Sequence, residues 1–211
     1  LRLRDFYETL VYFDRNQSMG SDSVCNGLHT VQIDSLHPAL AHAAIWEVDV
    51  AVIGGGPSGL MAAEVLSAQG VSVHVFDGMP SVGRKFLLAG RGGLNLTHAE
   101  PWDAFVGRFG DKSEAVRVWL NQFGAEQVRA WARGLGVETF VGSSGRVFPS
   151  EMKAAPLLRA WLHRLRHAPM PVQFHMRHRW VGWSDAGWQF ETPQGCLHVK
   201  SRAVVLALGG G

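Results

Sequence analysis

The sequence predicts an α/β fold that opens on a strand–helix–strand unit. Three observations carry this. Val48-Asp49-Val50-Ala51-Val52-Ile53 is a nearly continuous apolar run, as a strand buried on both faces requires. Leu60 to Ala68 is rich in Leu, Met, Ala and Glu, and Gly70 closes it as a helix stop should. Val71-Ser72-Val73-His74-Val75-Phe76-Asp77 then reads as a second strand, completing a βαβ-type opening of about thirty residues.

Composition supports a packed domain. The chain has 211 residues, of which 46% are hydrophobic and 18% charged, which excludes a disordered or collagen-like protein. Twenty basic and 18 acidic residues leave a net charge of +2, small for a dedicated nucleic-acid or membrane-surface binder. Cys25 and Cys196 are too few for a disulfide scaffold or a Cys-based zinc site, and fit a reducing, cytoplasmic setting. No apolar run reaches the ~18 residues that span a bilayer, and the first residues lack a basic-then-apolar signal pattern.

The remaining elements follow in order. The chain opens on Leu1, with Met19 as a candidate start. Residues 14–38 show no period of 2 or 3.6, and Ala39 to Trp46 is a short apolar lead-in, so residues 1–46 read as a mobile extension. The domain is expected over residues 47–211. Residues 78–98 read as a Gly-rich loop region with basic residues. Residues 101–136 read as helical. Positions 116, 119, 120 and 123 give one apolar stripe, and Val128, Trp131 and Leu135 the next. Val137 to Pro149 reads as extended, with a Gly-Ser-Ser-Gly turn. Residues 154–167 form an amphipathic helix with Leu157, Leu158, Trp161, Leu162 and Leu165 on one face. Residues 172–200 read as a β-meander with turns near Asp185-Ala186-Gly187 and Pro193-Gln194-Gly195. A buried strand, Ala203 to Leu208, runs into the last glycines.

The first strand and helix are joined by Gly54-x-Gly56-x-x-Gly59, in which Pro57 and Ser58 are the two residues before Gly59. Alone this spacing is weak. Here it has a strand before it, a helix after it and an acid, Asp77, at the end of the next strand. Gly54 allows the tight turn, Gly56 lets a pyrophosphate approach the backbone, and Gly59 lets helix and sheet pack closely. The helix N-terminus offers free N–H groups and partial positive charge. The Asp77 carboxylate can accept both ribose hydroxyls of an adenosine and repels a 2′-phosphate. This much leaves FAD and NAD both open.

The following residues favour a flavin. Ser81-Val82-Gly83-Arg84-Lys85 comes shortly after Asp77, where flavoproteins of the glutathione-reductase type place a Gly-Arg element. Ala207-Leu208-Gly209-Gly210 resembles their second FAD motif, A-T-G-G, and a meander precedes it in the expected order. Gly83 to His98 reads G-R-K-F-L-L-A-G-R-G-G-L-N-L-T-H, and Gly145 to Pro149 reads G-R-V-F-P, followed by Lys153-Ala154. With these two motifs, residues 47–211 resemble the HI0933-like family of FAD-dependent oxidoreductases, also called BaiN-like or aminoacetone-oxidase-like. The family pattern is G-R-K-x-L-x-S-G-G-G-R-C-N-x-T-N. Here its Arg-Cys pair is Gly93-Leu94 and one glycine is Arg91, the mark of a divergent subfamily. In the family that cysteine sits near the flavin.

The resemblance implies a Rossmann-like FAD-binding domain with a β-meander and an inserted helical segment, truncated at its C-terminus. It implies that Gly54, Gly56, Pro57, Ser58 and Gly59 hold the pyrophosphate and Asp77 the ribose. Arg84 and Lys85 would lie near the phosphates or the flavin. Asn95 and Thr97 would line the isoalloxazine, with loop capping as their plainer role. Trp180 would contact adenine through its backbone, with core packing as its plainer role. Gly209 would approach the ribityl chain or a phosphate. Positive charge near flavin N1, from Arg84, Lys85 or Arg91, would favour the reduced anion.

The implied activity is an FAD-dependent oxidoreductase moving hydride or electrons between a reductant, NAD(P)H being one candidate, and an unidentified small molecule. Residues 78–211 hold no second strand–GxGxxG–helix unit, so this stretch carries no separate nicotinamide domain. No general acid or base stands out. Two alternatives are a non-catalytic FAD module and a flavin-dependent uridine reductase acting on RNA. For the latter, Arg159, Arg164 and Arg166, with Arg177 and Arg179, offer basic charge. His163 and His167 share a helix face, but no carboxylate or Cys completes a metal set, so no metal is expected.

Overall fold

A computed structural model describes residues 44–89 and 92–209. The expected extension lies outside them as far as residue 43, as does Arg91. The chain divides into two compact units. The first takes residues 44–82 and 168–209, and the second Gly83–His167.

The first unit is a six-stranded sheet. β1 (Ala44–Ile53) lies parallel to β2 (Val73–Asp77), with Val50 opposite Val73 and Ile53 opposite Phe76. On its other side it runs parallel to β9 (Gly195–Leu206), from Ala44 opposite Leu197 to Ile53 opposite Leu206. β7 (Arg179–Ser184) and β8 (Gly187–Thr192) continue the sheet antiparallel beyond β9. β6 (Gln173–Met176) pairs parallel with β2, giving the order β6-β2-β1-β9-β8-β7.

The first strand of the expected 172–200 meander, Gln173–Met176, is not part of it but the opposite edge of the sheet. Strand character is legible from Val, Phe and alternation, whereas the pairing partner is set by the crossover. The last meander strand and the terminal strand are one strand, β9. The polar stretch Lys200-Ser201-Arg202 reads as a break, yet it stays in register beside Glu47 and Val48 of β1.

One helix, α1 (Pro57–Ala68), covers one face of the sheet, packing on β1, β2 and β9. Leu60 and Ala63 are fully buried, as are Val52 and Val75. Burying a side chain of Leu size contributes roughly 1.5–3 kcal/mol. The helix ends in a Schellman arrangement: Val71 N–H donates to Leu66 O at 3.2 Å and Gly70 N–H to Ser67 O at 3.0 Å. The other face is built on Ala51, Ile53, Phe76, Phe190, Leu197 and Val199, with Trp180 and Trp188 packed around them.

The second unit holds α2 (Arg84–Ala89), α3 (Trp102–Gly107), α4 (Ser113–Gln122), α5 (Ala125–Gly134) and α6 (Ala154–Arg166). A small antiparallel sheet joins β3 (Thr97–His98), β5 (Arg146–Pro149) and β4 (Thr139–Val141) in that order. Its core is Leu94, Ala132, Ala154 and Leu157, and Trp131 meets Trp161 edge-on at 4.8 Å.

The expected loop at 78–98 contains α2 and β3 instead. Arg-Lys-Phe-Leu-Leu-Ala are good helix formers, and the glycines around them mask the signal. The α4 stripe forms a helix but no α4 residue is fully buried. Trp119 is 55% exposed, and Phe123, just after the helix, 41%. Periodicity shows which face is apolar, not what covers it.

Candidate functional site

The fingerprint sits where three strand ends meet. Gly54 N–H donates to Phe76 O at 2.8 Å, and Ala207 N–H donates to Ile53 O at 2.8 Å. The ends of β1, β2 and β9 are thereby fixed at the carboxyl edge of the parallel strands, where open α/β sheets bind ligands. Gly54 has φ +111°, and an added methyl would overlap the Ala207 carbonyl. A methyl at Gly59 would overlap Gly54 O and lie 3.2 Å from Val52 Cγ1. At Gly55 it would strike Val82 and lie 2.8 Å from Asp77 Oδ2. At Gly56 it would meet nothing within 4 Å.

So the glycine run is sealed by protein at Gly54, Gly55 and Gly59 and open at Gly56. Gly56 is the N-cap of α1, in extended backbone, with no side-chain cap and Pro57 next in the helix. No acidic residue occupies the first turn. The positive helix end therefore carries no acidic residue of its own, and the exposed Pro57 and Ser58 lie beside it.

Asp77 closes the loop from the other side. Its Oδ2 accepts the Gly55 N–H at 2.7 Å and its Oδ1 accepts the Met79 N–H at 2.8 Å. An ionised carboxylate has about four acceptor positions, so two remain for an incoming donor. Gly55 is the residue the sequence reading missed. Its signal was being the middle of three consecutive glycines, a position the fingerprint leaves free.

Gly209 lies beyond β9, exposed, at φ +79°, with open space where a side chain would be. Trp180 is the second residue of β7; its Nε1–H donates to Gly182 O at 2.7 Å and its ring packs on the sheet core. Gly54, Gly56, Pro57, Ser58, Gly59 and Asp77 are thus gathered at one edge of the first unit's sheet.

The other candidates lie in the second unit. Arg84 and Lys85 open α2 and are exposed, as is Asn95. Thr97 is half-buried in β3, opposite Val147. Leu94, which stands where the family has its cysteine, is 4% exposed in this unit's core. The basic residues split as well: Arg159, Arg164 and Arg166 are on α6, whereas Arg177 and Arg179 belong to the first unit. His163 and His167 stack at 4.1 Å, and among the described residues no group of three or more His, Cys, Asp or Glu could hold a metal ion. Among those residues no helix is long and apolar enough to cross a membrane.

Known proteins resemble this chain in three ways. Thiamine thiazole synthase from Methanococcus vannielii is 37% identical over 91 residues, 43% of this chain and 34% of that protein. The open conformation of a flavocytochrome c3 fumarate reductase aligns with TM-score 0.58 and 18% identity, covering 78% of this chain and 34% of that one. E. coli quinol fumarate reductase FrdA gives 0.57 and 17%, covering 79% and 33%. These structural likenesses show the Rossmann-like fold, and the chain spans about a third of the length of each relative. The model of the HI0933-like protein Rossmann domain matches residues 48–211. With that match over most of its length, and the glycine turn and Asp77 in place, the chain belongs to the HI0933-like Rossmann-domain family.

Proposed function

We propose that the first unit binds FAD and that the protein is an FAD-dependent oxidoreductase. The observation that carries this is Gly56, the one open position in an otherwise sealed glycine turn. It sits at an uncapped helix N-terminus, where a pyrophosphate finds free N–H groups and positive potential. The residues present fit the group. Gly56 and Ser58 would face the pyrophosphate, with Gly59 letting the helix pack close beneath it, Asp77 would face the adenosine ribose, and Gly209 a phosphate or the ribityl chain.

Bound FAD would supply the hydride or electron transfer. The chain contributes position and charge. Asp77, held by the Gly55 and Met79 N–H groups, would orient the ribose hydroxyls. On the family resemblance, Arg84, Lys85, Asn95 and Thr97 are proposed as flavin-binding residues, the cations favouring negative charge on the flavin. NAD(P)H is one proposed donor and a small molecule the proposed acceptor.

A second reading, an RNA base as acceptor, is favoured by one feature. A cleft of about 490 Å³ between α5 and α6 is lined by Arg159, His163 and Arg164 with Leu135 and Pro156. Binding to RNA that weakens steeply with salt would support it. The primary test is the absorption spectrum of the purified protein. Flavin bands that leave with FAD on denaturation support the proposal. A protein that neither retains nor takes up FAD overturns it.

A further inference from the structure

A histidine pair bridges β2 and β6 of the first unit. His74 Nδ1 lies 2.9 Å from His175 Nε2, and the rings stack with centroids 5.1 Å apart. His175 also stacks on Phe76 at 4.7 Å and meets Trp46 edge-on at 5.1 Å. One nitrogen of the pair donates and the other accepts. A proton on both would set two donors face to face in a partly apolar stack, where charge is poorly solvated.

What β6 holds is the Asp77 loop. Immediately after β6, His178 N–H donates to Asp77 O at 2.9 Å and Arg177 N–H donates to Met79 O at 3.1 Å. Arg177 makes this turn at φ +61°, a conformation that L side chains disfavour and that persists only where neighbours fix it. Asp77 in turn holds Gly55. A continuous path thus runs from the histidine pair, through the exit of a four-residue edge strand, to the glycine turn.

We propose that the His74–His175 pair is a proton-sensitive clamp: acidification loosens β6, releases the Arg177–His178 turn from the Asp77 loop and so weakens nucleotide binding. The effect on nucleotide rests on the FAD reading of this site; the clamp itself does not. Burial lowers the pKa of both rings, and for His175 the nearby His74 and His178 lower it further, to about 4. The charged and titratable groups facing the pair are Asp49 of β1, which opposes the lowering at His74 and sits 3.5 Å from Arg202 of β9, and His178 in the turn.

The test follows two readouts from pH 7 to pH 4.5 in the wild-type protein and in His175→Phe, which keeps the aromatic stack without the proton site. The first is hydrogen-exchange protection of the Arg177 and His178 amides. The second is FAD affinity by flavin fluorescence. In the wild type both amides lose protection as pH falls and FAD binds about tenfold more weakly at the acid end. In His175→Phe protection persists and the decline in affinity is smaller. Should that variant fail to fold, His74→Phe carries the same comparison. Unchanged protection in the wild type, or identical pH profiles in wild type and variant, overturns the clamp. Absence of FAD binding at pH 7 with acid-labile amides in the wild type alone supports the clamp and overturns the cofactor reading.

Discussion

Asp77 reaches back 22 residues to hold the Gly55 N–H at 2.7 Å, and its second oxygen holds the Met79 N–H at 2.8 Å. The acid expected to grip a ribose therefore also fixes the loop that would face the phosphates. Replacing it should damage both. Asp77→Ala leaves two backbone donors without their charged acceptor, a cost of about 1–3 kcal/mol. Asp77→Asn keeps one acceptor oxygen, so it should retain most of the stability and lose FAD affinity about tenfold. Denaturant melts beside FAD titrations separate the two effects; equal stability and affinity losses in both variants would contradict this division of labour.

The neighbouring glycines should respond oppositely. Gly56 has extended backbone and open space, so Gly56→Ala is expected to leave the melting temperature within about 1 °C and to cut FAD affinity tenfold or more. Gly55→Ala has no room, because its methyl would meet Val82 and lie 2.8 Å from Asp77 Oδ2. Relieving that overlap moves the turn, at a cost of about 1–3 kcal/mol. Thermal melts of the two apoproteins decide this without any flavin.

The βαβ opening was legible because each piece carries its own local signal: the apolar run of β1, the helix formers of α1, and Asp77 at the end of β2. The path of β6 was not legible, since Gln173–Met176 reads as a strand whichever edge it joins. Gly55 and Asp77 are another such case. Their bond depends on where two chain segments far apart in sequence arrive in space. The exposed side of α4 shows the same limit, with Trp119 periodic yet uncovered within its unit.

Leu94 tests what the family's cysteine position means in this chain. The side chain is 4% exposed beside Ala132, Ala154 and Leu157. Leu94→Ala should cost about 2–5 kcal/mol by removing buried methyls. Leu94→Cys should restore the family residue and yet leave a thiol shielded from reagents in the native state. Reaction with a thiol-specific dye is expected to be slow at position 94 until denaturant is added. Fast labelling of the folded variant would place this position at an accessible site instead of the core.

The histidine pair also sets how the apoprotein should respond to pH. His175 has its pKa lowered to about 4, first by burial and then by His74 and His178, against 6.5 for a free histidine. The unfolded chain therefore binds this proton more readily than the folded one. Above pH 6.5 both states are neutral there and nothing is lost. As pH falls from 6.5 to about 4, the unfolded state gains protons that the folded state refuses, so stability declines. Below pH 4 this contribution is flat. Because the ring is only partly buried, solvent screening reduces the expected loss to roughly 1–2 kcal/mol. Carboxylates titrate over part of the same range, so the comparison is between wild type and His175→Phe. The variant should lose less stability between pH 6.5 and pH 4.5 in urea melts. Parallel stability curves for the two proteins would mean that His175 takes up its proton as easily folded as unfolded.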